Sequence, residues 1–163
     1  MTDKSLQATD GKSFDLRAAI DILKQYDGEY IETSEPVDPA AELSGVYRYI
    51  GAGGTVMRPT RTGPAMVFNK VKGYDDFRVL IGLLASRQRV ARLLGVPKEN
   101  LAQLLRESVH HAIAPVVIAN EQAACQEVVH LATDEGFDIR TLLPAPTNTP
   151  EDAGPYFTLG MCY

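Results

Sequence analysis

Residues 63–74 carry the strongest fold signal in the chain and have the sequence Gly63-Pro64-Ala65-Met66-Val67-Phe68-Asn69-Lys70-Val71-Lys72-Gly73-Tyr74. The four apolar residues at 65–68 show no alternation, and such a short unbroken run predicts a fully buried strand. The sequence Lys72-Gly73-Tyr74 predicts a turn after it. A second apolar run at 78–84 predicts another buried strand.

Helical patterns alternate with short strand patterns on both sides of this stretch. Apolar residues at helical spacing predict a first helix over 15–24, with Asp15 or Ser13 as its N-cap. A second helix is predicted over 39–50, with Asp38 as N-cap and a proline at its first position. The other predicted elements are a strand at 30–33, helices at 86–95 and 99–113, and strands at 115–118 and 126–131. This alternation predicts an α/β fold with a small mixed sheet and flanking helices.

The bulk composition excludes several classes of protein. The chain has 163 residues, a net charge of −5 and 45% hydrophobic residues, which is ordinary globular usage and unlike the basic face of a nucleic-acid-binding domain. No apolar run reaches the ~18 residues of a membrane helix. Residues 1–13 are polar, lack a signal-peptide core and predict a disordered tail. With only Cys125 and Cys162, we expect a reducing, cytoplasmic location and no disulfide framework.

Two basic stretches are candidate anion sites. Arg58 and Arg61 lie near Lys70 and Lys72 in an otherwise acidic chain, where they could bind a carboxylate, form ion pairs with a neighbouring domain or simply face solvent. The helix predicted at 86–95 carries three arginines in its first turns. These could bind phosphate or the tail of another chain, but an exposed helix face is the expected role.

The glycines at 51–54, Gly51-Ala52-Gly53-Gly54, predict a helix end and turn. A phosphate loop would need a following Gly-Lys-Ser/Thr, which is missing here. His110 and His111 are adjacent and point about 100° apart on a helix, so they cannot share a metal; surface positions near a helix C-terminus are expected. Cys125 is expected to be a buried, inert thiol. No metal site and no catalytic constellation can be assigned from these residues.

The C-terminal stretch suggests that the chain is the front piece of a larger protein. Residues 143–155 hold four prolines and predict a connector between domains. Residues 152–163 then have the pattern of a turn and the start of a buried strand, which needs partner strands to cover it. The expected division is a tail at 1–13, an α/β domain at 14–142, and a connector with the start of a second domain at 143–163.

An ordered set of motifs resembles the N-terminal part of UbiD-type decarboxylases. The motifs are Asp15-Leu16-Arg17, Glu35-Pro36-Val37-Asp38-Pro39, residues 63–74, Ala85-Ser86-Arg87-Gln88-Arg89 and Asp152-Ala153-Gly154-Pro155-Tyr156-Phe157-Thr158-Leu159-Gly160. The branch that acts on protocatechuate, gallate and related hydroxybenzoates looks closest. That likeness rests on Gly51-Ala52-Gly53-Gly54, Arg58-Pro59-Thr60-Arg61 and Pro146-Thr147-Asn148-Thr149-Pro150.

The resemblance implies a reversible, non-oxidative decarboxylation of an aromatic acid. It implies prenylated FMN as cofactor, with a divalent metal (Mn or Mg) and potassium at its phosphate, and a flavin prenyltransferase as its supplier. Members of the family are considerably longer, with a split β-barrel that binds the flavin and a C-terminal domain that drives homo-oligomerisation. Residues 156–163 would then begin the first strand of that barrel.

The same resemblance makes Thr158 and Leu159 the candidate cofactor-binding residues, although a plain strand in the barrel core is the alternative. The family's catalytic and metal-binding residues match positions beyond Tyr163, so the isolated chain is expected to be inactive and to hold no cofactor. Two other functions remain open. The chain could be a stand-alone module that joins a full-length decarboxylase or binds an aromatic acid through Arg58 or Arg61, or it could be an unrelated α/β enzyme.

Overall fold

The computed structural model describes residues 15–52 and 62–155. Three strands, β1 (Tyr30–Thr33), β2 (Ala65–Phe68) and β3 (Val79–Ile81), form one sheet in the order β1-β2-β3. The helices are α1 (Leu16–Leu23), α2 (Glu42–Ala52), α3 (Arg87–Leu93), α4 (Leu101–His110) and α5 (Ile139–Leu142), and 3-10 turns occur at Lys98–Asn100, Asn120–Gln122 and Ala124–Gln126. The predicted α/β class and small mixed sheet are confirmed.

Strand β2 forms the centre of the sheet. Its parallel partner β1 pairs Tyr30 with Ala65, and its antiparallel partner β3 pairs Phe68 with Val79. All four β2 residues are buried, as the unbroken apolar run predicts. They are covered on both faces: one cluster is Ala19, Ile22, Leu23, Ala65 and Leu93, and the other is Val37, Leu43, Met66 and Phe68. The successive side chains of β2 point to opposite faces and so join both clusters.

Side-chain caps set the start of two helices as predicted. The Asp15 carboxylate accepts a hydrogen bond from the backbone N–H of Ala18 at 2.8 Å and begins α1. The Ser86 hydroxyl accepts one from the backbone N–H of Arg89 at 3.4 Å and begins α3. Each cap satisfies a backbone donor that has no partner within its own helix.

Helix α2 begins at Glu42, three residues later than predicted. Asp38 does not cap the helix; its side chain accepts a hydrogen bond from the N–H of Ala40 at 2.7 Å and closes a turn. Ala41 then adopts a φ of 66°, which is incompatible with a continuous helix. The Glu42 carboxylate reaches back to the N–H of Asp38 at 2.7 Å, so the local hydrogen bonds favour a turn before the helix.

Both strands predicted after residue 114 are wrong for the described structure. Residues 115–118 have no regular secondary structure, and residues 126–131 contain only the end of a 3-10 turn. Their apolar side chains are exposed, with Val116 at 86% and Val117 at 93% of full accessibility. The run at 78–84 is also shorter than predicted, because β3 ends at Ile81 and Gly82 turns the chain with a φ of 77°.

Candidate functional site

The described residues form a cleft of about 860 Å³ between α2 and residues 148–151. Ser44, Tyr47, Arg48 and Gly51 of α2 line one wall. Their spacing of three, four and seven residues places them on one face of the helix. The cleft falls within the volume range of small-molecule pockets and mixes apolar surface with a few polar groups.

Close packing shapes the floor of this cleft. A side chain on Gly63 would collide with the backbone of Gly51, so the end of α2 lies directly against the segment that leads into β2. A side chain on Gly82 would collide with the phenol of Tyr47. Burial raises the pKa of Tyr47, more strongly than the nearby Arg89 charge lowers it. The Tyr47 phenol is therefore neutral at neutral pH.

A buried arginine ties the elements below the cleft together. Arg89 of α3 is 1% exposed, and its Nε donates to the Glu29 carboxylate at 2.8 Å. Its two terminal nitrogens donate to the backbone carbonyls of Gly82 and of Gly63, the latter at 2.6 Å. Arg92 donates to the other Glu29 oxygen. The fork of donors on one guanidinium matches a carboxylate and two carbonyls at once.

The expected exposed face of the arginine-rich helix is therefore wrong for Arg89. The alternative role, in which Arg89 binds phosphate or the tail of another chain, also fails because its guanidinium is buried and donates to three acceptors inside the fold. Glu29 lies sixty residues away along the chain. Helical periodicity cannot reveal a partner at that separation, and that is why the sequence pattern misplaced this residue.

Residues 147–152, which we term the latch, dock onto the start of α2. Thr147 forms an isolated parallel bridge with Ala40, and its N–H donates to the carbonyl of Pro39 at 3.1 Å. The Ser44 hydroxyl lies 3.0 Å from the carbonyl oxygen of Thr147 and 3.1 Å from Oδ1 of Asn148. Its single proton is shared between these two acceptors.

The latch has its own internal hydrogen bonds. The Asp152 carboxylate accepts from the backbone N–H of Asn148 at 2.6 Å and of Thr149 at 3.3 Å, and from the Thr149 hydroxyl at 3.2 Å. The bond from the Asn148 N–H is the main cause that lowers the pKa of Asp152. These bonds favour the charged carboxylate and hold residues 148–152 in a closed turn.

The other residues singled out from the sequence do not converge on a site. Lys72 forms an exposed ion pair with Glu42 at 3.1 Å. The hydrogen bond from the N–H of Asp38, and after it the bond from Lys72, lowers the pKa of Glu42. Cys125 is exposed, so the expected buried thiol is wrong: the irregular segment around it has no covering layer among the described residues. His110 and His111 lie exposed at the end of α4, as predicted.

Several predicted site residues lie outside the described residues, namely Arg58, Arg61, Thr158, Leu159 and Cys162. Within residues 15–52 and 62–155, no cluster of three or more His, Cys, Asp or Glu side chains could hold a metal ion. In the same part of the chain, every helix is too short or too polar to cross a membrane.

Two domain models from known protein families match successive stretches of the chain. Residues 21–109 match the 3-octaprenyl-4-hydroxybenzoate carboxy-lyase N-terminal domain, and residues 116–163 match the Rift-related domain of the same carboxy-lyase. The chain belongs to the UbiD family. The resemblance seen in the sequence motifs is thereby confirmed. The cleft and the latch both join residues from the two UbiD domains, since α2 lies in the first match and residues 147–152 lie in the second.

Similar proteins include decarboxylases of hydroxylated benzoic acids. The chain is 56% identical over 150 residues to a gallate decarboxylase of Lactiplantibacillus plantarum. It matches the apo 3,4-dihydroxybenzoic acid decarboxylase of Enterobacter cloacae with 62% identity and a TM-score of 0.77 over 86% of this chain and 29% of that one. The evolved dimeric form of the UbiD-class enzyme HmfF from Pelotomaculum thermopropionicum, in complex with prFMN, matches with 26% identity and a TM-score of 0.71. That match covers 90% of this chain and 31% of that one.

The chain spans about a third of the length of these relatives: its match covers 92% of this chain but 31% of the gallate decarboxylase. The described cleft and latch are therefore features of the N-terminal UbiD domain and of the first part of the Rift-related domain.

Proposed function

We propose that this chain is the N-terminal portion of a UbiD carboxy-lyase that reversibly and non-oxidatively decarboxylates a hydroxybenzoate-type aromatic acid. The observation that carries the proposal is the 56% identity to gallate decarboxylase over 92% of the chain. The 62% identity to a 3,4-dihydroxybenzoic acid decarboxylase supports the same substrate class. The isolated chain is inactive under this proposal, because the residues that perform the chemistry belong to the longer protein.

The proposed cofactor is prenylated FMN, since the UbiD-class relative HmfF is described in complex with prFMN. When bound, this group supplies the electron sink that a decarboxylation needs. The proposal includes a divalent metal (Mn or Mg) and potassium at the flavin phosphate, a flavin prenyltransferase as supplier, a cytoplasmic location and a homo-oligomeric full-length protein. Thr158 and Leu159 are the proposed flavin contacts in this chain.

The described residues form the floor and the walls of the cleft and hold them in place. The Arg89–Glu29 network connects α3 to the ends of β3 and of the segment before β2, and so holds the floor of the cleft. Tyr47 adds a neutral phenol and an apolar ring to one wall. Ser44 ties the opposite wall to α2 through the latch. These groups hold the two UbiD segments against each other at their junction.

Turnover by the full-length gene product, produced together with a flavin prenyltransferase, tests the proposal. We expect carbon dioxide release from protocatechuate, with catechol as product, and from gallate, with pyrogallol as product. The same protein without prenylated FMN is the control and should be inactive, and so should the 163-residue chain. A flavin-loaded protein that turns over neither acid, but does decarboxylate a non-aromatic acid, would overturn the proposed substrate class.

A further inference from the structure

We propose that the latch, residues 147–152, is the docking element that seats the Rift-related domain on the N-terminal domain, and that Ser44 is the positioning residue that holds it in register. The docking itself stands on the contacts of the described residues. Its consequence for the flavin rests on the proposed function, because the latch ends only a few residues before Thr158 and Leu159.

The first argument is the geometry of the contact. Both backbone groups of Thr147 are hydrogen-bonded to the N-terminal domain. Its N–H donates to the carbonyl of Pro39, and its carbonyl accepts from the Ser44 hydroxyl. A shift of the latch by one residue would break both hydrogen bonds and the bridge to Ala40. Such a pair of backbone bonds in a parallel bridge defines a register rather than a loose contact.

The second argument is that each surface is held by hydrogen bonds of its own, separate from those of the contact. On the receiving side, Leu43 is completely buried and Glu42 bonds both to the N–H of Asp38 and to Lys72. On the latch side, the Asp152 carboxylate holds its turn closed. Docking of two preorganised surfaces loses little conformational entropy, so a few hydrogen bonds suffice to hold them together.

The third argument comes from the chain that precedes the latch. Residues 111–136 are exposed apart from the half-buried Ala123, so this stretch packs little against the described part of the N-terminal domain. Half-buried side chains recur at Phe137, Asp138 and Leu143, and Pro144, three residues before the latch, is buried. The latch is therefore where the Rift-related segment returns to the N-terminal domain.

Hydrogen exchange of the full-length protein tests the docking. The variants are Ser44→Ala, Ser44→Thr, which keeps the hydroxyl, and Asp152→Ala, which removes the carboxylate inside the latch. Ser108→Ala is a matched helix control, since the Ser108 hydroxyl donates to the carbonyl of Leu105 within its own helix. We expect about fivefold faster exchange of the Thr147 amide in Ser44→Ala, the effect of one lost hydrogen bond, and no change in Ser108→Ala. If Ser44→Ala does not fold, Asp152→Ala, which removes the carboxylate that holds the latch closed, must show the faster exchange instead.

Retention of the flavin tests the positioning role. We expect Ser44→Ala to bind prenylated FMN about fivefold more weakly, with a changed flavin absorbance spectrum, and Ser44→Thr to restore both. Unchanged Thr147 exchange in a folded Ser44→Ala protein would overturn the docking. Faster exchange with unchanged flavin binding and spectrum would overturn the positioning role. If the wild type decarboxylates no hydroxybenzoate, the proposed function fails, while the exchange result still decides the docking.

Discussion

Two four-residue apolar runs of the chain, Ala65–Phe68 and 115–118, have opposite structural fates. The first is central strand β2, paired on both sides and buried at every position. The second, Pro115-Val116-Val117-Ile118, is irregular, and its valines are almost fully exposed. Both have the apolar and β-branched or aromatic composition that favours strands.

The comparison teaches that partners, more than composition, decide whether such a run becomes a strand. An isolated strand leaves its backbone donors and acceptors unpaired, and only neighbouring strands satisfy them. Strand β2 has β1 and β3 within the described chain, and helices α1, α2 and α3 cover its two faces. Residues 115–118 have no hydrogen-bonded strand beside them among the described residues.

Truncation of one side chain in each run tests the difference between the two runs and has the largest expected effect. Phe68 is completely buried, so Phe68→Ala should lower the free energy of unfolding of this chain by about 3–5 kcal/mol. Val117 is 93% exposed, so Val117→Ala should stay within about 0.5 kcal/mol. Urea unfolding followed by circular dichroism measures both. Equal losses would contradict the assignment of β2 as core and 115–118 as surface.

A second prediction asks whether the core around β2 depends on its buried ion pair. Arg89→Met leaves the carbonyls of Gly63 and Gly82 without this donor, and should destabilise the chain by about 3 kcal/mol. Arg89→Lys should recover only part of this, because one ammonium cannot reach three acceptors in fork geometry. Lys72→Met, at the exposed pair with Glu42, is the control and should have a much smaller effect. Similar losses of unfolding free energy in Arg89→Met and Lys72→Met would contradict the stabilising role of the buried Arg89 ion pair.

The smallest expected effect is a difference in pH dependence: hydrogen-exchange protection should depend on pH in the latch but not at residues 115–118. The pKa of Asp152 is lowered below its ordinary value of 3.8, so its contribution is complete above that value and is lost as the pH falls through the lowered pKa. The hydrogen-exchange protection of the Asn148 amide should fall in that acid range, while residues 116–118 show little protection at any pH. Asp152→Asn should remove the pH dependence of Asn148. A pH-independent Asn148 amide in the wild type would refute the role of this carboxylate.

Local patterns predicted much of the first domain. The caps at Asp15 and Ser86 and strands β1 and β2 occur where the sequence indicated, because short-range hydrogen bonds and unbroken apolar runs define them. The start of α2 was misplaced because Asp38 can close a turn as well as cap a helix. The family was also recognisable from ordered motifs.

The candidate site was much less accessible to sequence reasoning. Arg89 looks like any exposed helix arginine until Glu29 and the carbonyls of Gly63 and Gly82 surround it. Ser44 lay in no motif, and Thr147 lay in the motif at 146–150, which indicated a branch of the family but not a contact with Ser44. The signals that pointed to the latch were this motif and the proline-rich stretch around it, and that stretch predicted a connector rather than a contact.

The sequence by itself determined the α/β class, the buried central strand, the helix caps and the family, because these depend on local hydrogen bonding, apolar periodicity and residue identity. Only the tertiary structure decided which arginine is buried, which apolar run is a strand and where the second domain returns to the first. Those outcomes depend on partners far away along the chain, and the free energy of burial or pairing exists only when those partners are present.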